Sequence, residues 1–123
     1  MQLNQDCIRD LLLYLEANLS YENSIHINGL HLNNYSANDL IYTADKLNEA
    51  NYIKCIKSPC LYEDVPVLIV TDITYSGHQF LDTIRDQSIW EDTKAKASKI
   101  ASISIPILQE LATSFLKAKL GLP

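Results

Sequence analysis

The apolar residues recur at helix and strand spacings in the order helix, short strand, turn, helix, two-stranded hairpin and three further helices. The first five of these elements follow the arrangement of a winged helix-turn-helix, so the sequence predicts an α+β fold. The phrase DKLNEANYI supports this prediction, because a helix ending in Leu-x-x-Ala-x-Tyr-Ile commonly leads directly into the hairpin, the wing. We expect a winged-helix domain over residues 1–88 and a two-helix C-terminal extension over residues 89–123.

The first helix is predicted to run from Gln5 to Asn18, with Asn4 as its N-cap. Its apolar positions have helical spacing and a wide buried face: Cys7, Ile8, Leu11, Leu12, Leu15 and Leu19. Alternating apolar residues then predict a short strand over Ser24–Ile27, which a turn at Gly29 follows.

The second helix is predicted to begin after Ser36, an N-cap residue. Asp39 follows three residues later, which resembles a capping box with a shorter carboxylate. The segments NYIKCIK and VPVLIVTDI are rich in β-branched residues and predict the hairpin, with SPCLYED as its loop. Pro66 confines the start of the second strand to an edge or loop position, because proline cannot donate to a sheet ladder.

The stretch from Val70 to Asp86 is rich in polar residues and raises the question of a catalytic cluster. We interpret it as the end of a strand over Val67–Ile73 and a helix capped by Thr74, with Gly77 allowing close packing at the helix start. His78 and Asp82 share one helical face, as do Asp82 and Arg85. This spacing is typical of a solvated, salt-bridged surface. A catalytic dyad also needs an orienting group and a cleft, and the sequence shows neither.

The last two helices are predicted over Trp90–Ile100 and, after the interruption SISIP, from the N-cap Ser104 to Gly121. The apolar arc of the final helix is wider than one core face requires. The excess predicts a homodimer through a second copy of this helix. The expected oligomerisation residues are Ile107, Leu108, Leu111, Phe115 and Leu116.

The charge of the 123-residue chain is −5 and unevenly spread. Residues 1–93 carry five basic and fourteen acidic side chains, whereas residues 94–123 carry five lysines and one glutamate. An acidic body argues against a broad nucleic-acid surface there. The lack of a long apolar run and the acidic start predict a cytoplasmic protein without membrane contact. Cys7, Cys55 and Cys60 are scattered and predict reduced structural thiols, with no metal site.

Four stretches together carry a family resemblance: CIRDLLLYLE, YSANDLIYTADKLNEANYI, TDITYSGHQFLDTIRDQSIW and KASKIASISIPILQELATSFLKAKLGL. The resemblance covers nearly the whole chain. The chain resembles an uncharacterised family of small proteins of bacteria, phages and prophages that is catalogued as a domain of unknown function. The resemblance implies a winged-helix-like core and a phage or prophage setting. It implies no catalytic residues.

One hypothesis is DNA binding linked to transcriptional regulation, with Ser36–Ala50 as the recognition helix. The expected contact residues on that helix are Asn38, Tyr42, Thr43, Lys46 and Asn48, and the wing adds Lys54 and Lys57. Asparagine side chains can read adenine edges, and lysines contact phosphates. The opposing observation is charge, because Asp39, Asp45 and Glu49 outweigh Lys46 in the recognition helix.

The alternative is a protein-interaction module that does not bind DNA, whose acidic surface engages a host protein. An enzyme is not expected, since His26 and His31 lack metal-site spacing and the sequence has no phosphate-binding loop or nucleophile motif. We therefore expect no cofactor and no small-molecule substrate, and duplex DNA or a host protein as the partner.

Overall fold

The computed structural model of the chain describes residues 1–59, 64–100 and 103–123. The described residues form a mixed α+β structure with five helices and a three-stranded antiparallel sheet, which confirms the α+β prediction. The chain divides into two compact units, Met1–His78 and Gln79–Pro123. In the described part of the chain, no helix has the length and apolar character needed to cross a bilayer.

Two helices of the first unit begin at the predicted caps. Helix α1 spans Gln5–Asn18, and Asn4 Oδ1 accepts a hydrogen bond from the Cys7 N–H at 3.1 Å. Helix α2 spans Ala37–Glu49, and Ser36 Oγ accepts from the Asp39 N–H at 3.1 Å. These bonds satisfy N–H groups that have no partner within a helix, which is why the helices begin there.

The sheet consists of β1 (Ile25–His26), β2 (Ile53–Ser58) and β3 (Val67–Ile73), in the order β1-β3-β2. Both pairings are antiparallel, and an irregularity between Lys54 and Cys55 shifts the β2–β3 register. Helices α1 and α2 contact each other and the sheet. The core of the unit therefore lies between the helices and one sheet face, and its fully buried residues include Leu11, Leu12, Leu15, Leu40, Leu47, Ile53 and Leu68.

The short strand β1 is extended by an asparagine side chain. Asn28 Nδ2 donates to the Pro66 carbonyl at 3.0 Å, and Asn28 Oδ1 accepts from the Leu68 N–H at 2.9 Å. The side-chain amide thus bonds to β3 as a peptide group would. Between β1 and α2 the chain makes turns, and Asp10 of α1 holds them by accepting from Asn33 Nδ2 and the Tyr35 hydroxyl at 3.0 and 2.7 Å.

Helix α3 spans Tyr75–Ile84 and crosses the boundary between the two units. Thr74 Oγ1 accepts from the Gly77 N–H at 3.1 Å, so the predicted cap is confirmed. Gly77 is buried, and a Cβ there would lie 2.0 Å from the Tyr52 carbonyl oxygen. The prediction that Gly77 allows close packing is also confirmed.

The second unit contains α4 (Gln87–Ala97) and α5 (Ile105–Leu120), which pack on each other. Helix α4 begins three residues before the predicted start at Trp90, because Asp86 Oδ1 accepts from the Ile89 N–H at 3.0 Å and caps it. Helix α5 follows Ser104 and ends at Gly121, whose φ of 73° is the left-handed conformation that glycine adopts readily. Trp90, Leu108 and Ala112 are fully buried in this unit.

Candidate functional site

The expected nucleic-acid contacts of α2 divide between its outer and inner faces. Asn38 is exposed, and Tyr42 and Lys46 are half-buried, with Lys46 Nζ 5.4 Å from the centre of the Tyr42 ring. Thr43 was expected to point outward, and this placement was wrong. Its side chain is 2% exposed and its hydroxyl donates to Cys7 Sγ at 3.4 Å, so Thr43 belongs to the contact between α1 and α2.

Two of the lysines expected to contact phosphate are bound to carboxylates of their own chain. Lys46 Nζ lies 3.0 Å from Glu49 Oε2, one helical turn away. Lys57 Nζ of β2 lies 3.0 Å from Asp45 Oδ1 of α2. These two ion pairs link neighbouring side chains on the surface formed by α2 and β2, which we call the α2–β2 surface.

The remaining expected contacts on the α2–β2 surface have different environments. Asn48 is half-buried and its Oδ1 accepts from the Cys55 N–H at 3.0 Å, which fixes its side chain against β2. Lys54 is exposed on β2, and its residue lies opposite Asp72 in the register of the β2–β3 ladder. The structure therefore places Asn38, Tyr42, Lys46, Lys54 and Lys57 in solvent contact, but holds the Asn48 acceptor in an intramolecular bond.

The first unit is strongly acidic as a whole. Residues 1–78 carry four basic and ten acidic side chains, a net charge of −6. Asp39 and Glu49 are exposed and lie on the same outer stripe of α2 as Tyr42 and Lys46, because the spacings of three and four residues follow the helical repeat. The field of this unit therefore repels polyanions and attracts basic surfaces.

The polar stretch Val70–Asp86 contributes Thr71, Asp72, Ile73 and His78 to the lining of a cleft of about 320 Å³ within the first unit. The end of α1, the end of β3 and His78 line it, and His78 Nδ1 is 3.9 Å from Glu16 Oε2. That distance is beyond hydrogen-bonding range. In the second unit, Arg85 Nη2 lies 3.0 Å from Asp82 Oδ1, and both side chains are exposed, as expected for a salt-bridged surface.

The two cysteines in the described residues are free and lie in poorly reactive surroundings. Burial raises the pKa of the Cys7 thiol, and burial together with Asp45 raises that of Cys55 to about 11. Both thiols are therefore protonated at neutral pH and are weak nucleophiles. Cys60 lies outside the described residues. Within those residues, no three His, Cys, Asp or Glu side chains are arranged to hold a metal ion.

The residues expected to mediate oligomerisation lie on several faces of α5. Ile107 is 49% exposed, and Leu111, Phe115 and Leu116 are half-buried. Leu108 was expected on the oligomerisation surface, and this was wrong, because it is 1% exposed in the core of its own unit. A groove of about 450 Å³ lies beside Ile107 and Leu111, between the end of α4 and α5.

Sequence reasoning missed the carboxylate partners of the lysines. The Lys46–Glu49 pair carries a local signal, since the two residues are three apart on one helix. Lys57 and Asp45 are twelve residues apart in different elements, and only the packing of α2 on β2 brings them together.

Comparison with known proteins places the chain in a family. It is 28% identical over 122 residues to an uncharacterized protein of Haemophilus influenzae, an alignment that covers 98% of this chain and 100% of that protein. No solved structure gave a significant match. A family model described as "Hypothetical protein (DUF2513)" matches residues 2–104. The expected membership of a family of unknown function is thereby confirmed, and the chain belongs to the DUF2513 family.

Proposed function

We propose that residues 1–88 form a winged-helix domain and that the protein is a non-enzymatic binding module whose partner is a basic protein surface. The winged-helix assignment is supported by the element order α1-β1-α2-β2-β3 and by the sheet order β1-β3-β2. In that arrangement α2 takes the place of the recognition helix. The β2–β3 hairpin takes the place of the wing.

The observation that carries the choice of a protein partner is the pairing of lysines with carboxylates on the α2–β2 surface. Phosphate contacts by Lys and Arg supply most of the non-specific affinity for DNA. Lys46 and Lys57 already neutralise Glu49 and Asp45 at 3.0 Å. A phosphate placed near either lysine would also lie near its carboxylate, within a unit of net charge −6. The same charges favour a partner that presents lysines and arginines.

Duplex DNA is the second candidate, and the exposed lysines of β2 favour it. Lys54 and Lys57 lie on the strand that a winged helix uses as its wing. Surface ion pairs of the Lys57–Asp45 kind contribute only about 0–1 kcal/mol, so their exchange for a phosphate contact is energetically small. With DNA as the partner, the protein would be a DNA-binding regulator whose Asn38 and Tyr42 contact the base edges.

Fluorescence anisotropy with labelled random duplex DNA, repeated across a salt series, separates the two candidates. We expect no saturable binding at protein concentrations up to about 100 μM, the weak end of typical non-specific affinities. Saturable binding with an affinity that falls steeply with salt would overturn the protein-partner proposal. The variant Asp45→Asn/Glu49→Gln removes the two competing carboxylates, and we expect its DNA affinity to be higher than that of the wild type.

The partner itself is sought by affinity purification on the immobilised protein. We expect a basic protein that is retained at low salt and released as the ionic strength rises. The variant Asp39→Lys/Glu49→Lys reverses the two exposed acidic residues of α2 and should lose this partner. Glu22→Lys, a single reversal on an exposed turn outside α2, is the control for a change in net charge and should retain it. Equal retention by both variants would show that α2 is not the binding surface.

Self-association through the second unit is the other part of the proposal. Its support is the exposure of Ile100 and Ile107 beside an open groove, since contiguous exposed apolar surface typically marks an interaction site. The phage or prophage setting that the resemblance implies makes a host protein the natural source of the basic partner. We further propose that the protein acts in the cytoplasm.

A further inference from the structure

The outer face of α5 carries two opposite charges at a regular spacing. Glu110 and Lys117 are seven residues apart, or two helical turns and about 10.5 Å along the axis. Both are exposed, and both line one shallow depression together with Thr113 and Ser114. Among residues 1–59, 64–100 and 103–123, neither charge has an ion-pair partner, whereas Lys119 on another face binds Asp86 at 3.2 Å.

An apolar groove borders this face. Its lining includes Ile100, Ile103, Ile107 and Leu111, and Ile100 and Ile107 are 61% and 49% exposed. Glu110 and Ser114, which belong to the charged face, also line this groove along α5. The groove and the charged face therefore form one continuous surface, which we call the α5 surface.

We propose that the α5 surface of one molecule packs against the same surface of a second copy, with the two α5 helices antiparallel. The two-fold axis passes between Thr113 and Ser114, at the midpoint of the sequence from Glu110 to Lys117. In this register, Glu110 of each copy faces Lys117 of the other, and Ile107 is covered by the opposite helix. The inference rests on the proposed self-association and specifies its geometry.

The charge pattern favours a second copy as the occupant. A two-fold interface places the same patch on both partners, so a patch must be complementary to itself. Parallel helices in register would set Glu110 against Glu110, whereas the antiparallel arrangement forms two identical opposite-charge pairs. Small side chains at the crossing point, Thr113 and Ser114, leave room for the helices to approach closely. The apolar groove supplies affinity, and the charges set orientation and register.

Charge reversal tests this register directly. We expect the wild type to sediment as a dimer, and Glu110→Lys or Lys117→Glu alone to weaken dimerisation about tenfold or more, because each sets like charges opposite one another. An equimolar mixture of the two single variants should form a heterodimer, since every contact in it joins a lysine to a glutamate. The double variant Glu110→Lys/Lys117→Glu should dimerise like the wild type. Glu22→Lys is the control for the change in net charge.

The outcomes separate the geometry from self-association itself. A specific dimer, even a weak one, should form at a protein concentration of about 100 μM. A wild type that stays monomeric up to this concentration would overturn both the antiparallel geometry and self-association. A wild-type dimer that neither reversal weakens would overturn the antiparallel register and leave self-association standing. Weakened single variants whose mixture forms no heterodimer would also overturn it. Because both positions are exposed, circular dichroism should show each variant folded like the wild type.

Discussion

Replacing Gly77 by alanine tests the close approach of α3 to Tyr52. The added Cβ would lie 2.0 Å from the Tyr52 carbonyl oxygen and 2.7 Å from Ile73 Cγ2, whereas real Cβ contacts are essentially never below 3.0 Å. The start of α3 must therefore move away from the segment that precedes β2. That same carbonyl accepts a hydrogen bond from the Thr74 N–H at 3.1 Å, and the movement would stretch it.

The expected change in the free energy of unfolding combines two costs and one gain. Overpacking of a buried site typically costs about 1–3 kcal/mol. Loss of the bond to the Tyr52 carbonyl adds about 1 kcal/mol. The higher helix propensity of alanine offsets roughly 1 kcal/mol of this. We therefore expect Gly77→Ala to lower the free energy of unfolding by about 1–3 kcal/mol.

Urea unfolding followed by far-UV circular dichroism measures this difference. With a typical slope of about 1–3 kcal/mol per molar, a loss of 2 kcal/mol lowers the midpoint by about 1 M. Ser76→Ala is the matched control, since it adds alanine to the same helix at an exposed position and should leave stability unchanged or slightly raised. A Gly77→Ala protein as stable as this control would refute the close approach of α3 to Tyr52.

Three further predictions concern polar groups that tie elements together. Asn28→Ala removes two bonds to β3 and should cost about 2 kcal/mol, with faster hydrogen exchange at the Leu68 amide; unchanged exchange there would contradict the role of Asn28. Thr43→Val keeps the buried shape and loses only a weak bond to a sulfur atom, so thermal denaturation should show a cost below about 1 kcal/mol. A loss of several kcal/mol would contradict this. The backbone N–H of Ile89 and then Lys119 hold the pKa of Asp86 below its usual 3.8. The stabilisation is therefore present above pH 3.8 and lost as the pH falls through the lowered pKa. Asp86→Ala should lower Tm at pH 7, and the gap to the wild type should narrow below pH 3.8; a constant gap would contradict the assignment.

Local chemistry explains why several elements could be predicted closely. Helix α1 and strand β3 have the predicted bounds. Asn4 caps the start of α1, and β3 is a run rich in β-branched residues between Pro66 and Thr74. The start of α4 was predicted too late, although Asp86 is a good N-cap residue. Thr43 also carried a usable signal. It lies three residues after Leu40 and four before Leu47, both on the buried stripe.

Features that depend on packing could not be predicted in the same way. The apolar arc of α5 is wide enough that several rotations of the helix would bury part of it, so periodicity alone did not place Leu108 inside and Ile107 outside. The pairing of Lys57 with Asp45 requires the position of α2 over β2. The ion pair that most supports the proposed protein partner therefore could not be predicted from the sequence.

The side-chain bonds of Asn28 and Asn48 also bear on how the sheet resists aggregation. Beyond the two-residue strand β1, the Pro66 carbonyl and the Leu68 N–H would be open to an extended chain, and the Asn28 amide bonds to both. On the opposite side, Asn48 takes the outward N–H of Cys55 on β2. Unpaired strand borders template the addition of foreign strands, which is the first step towards amyloid-like assembly. The two asparagines therefore cover backbone polar groups at both borders of the sheet, and a substitution at either would leave such a group open to pairing with a foreign strand.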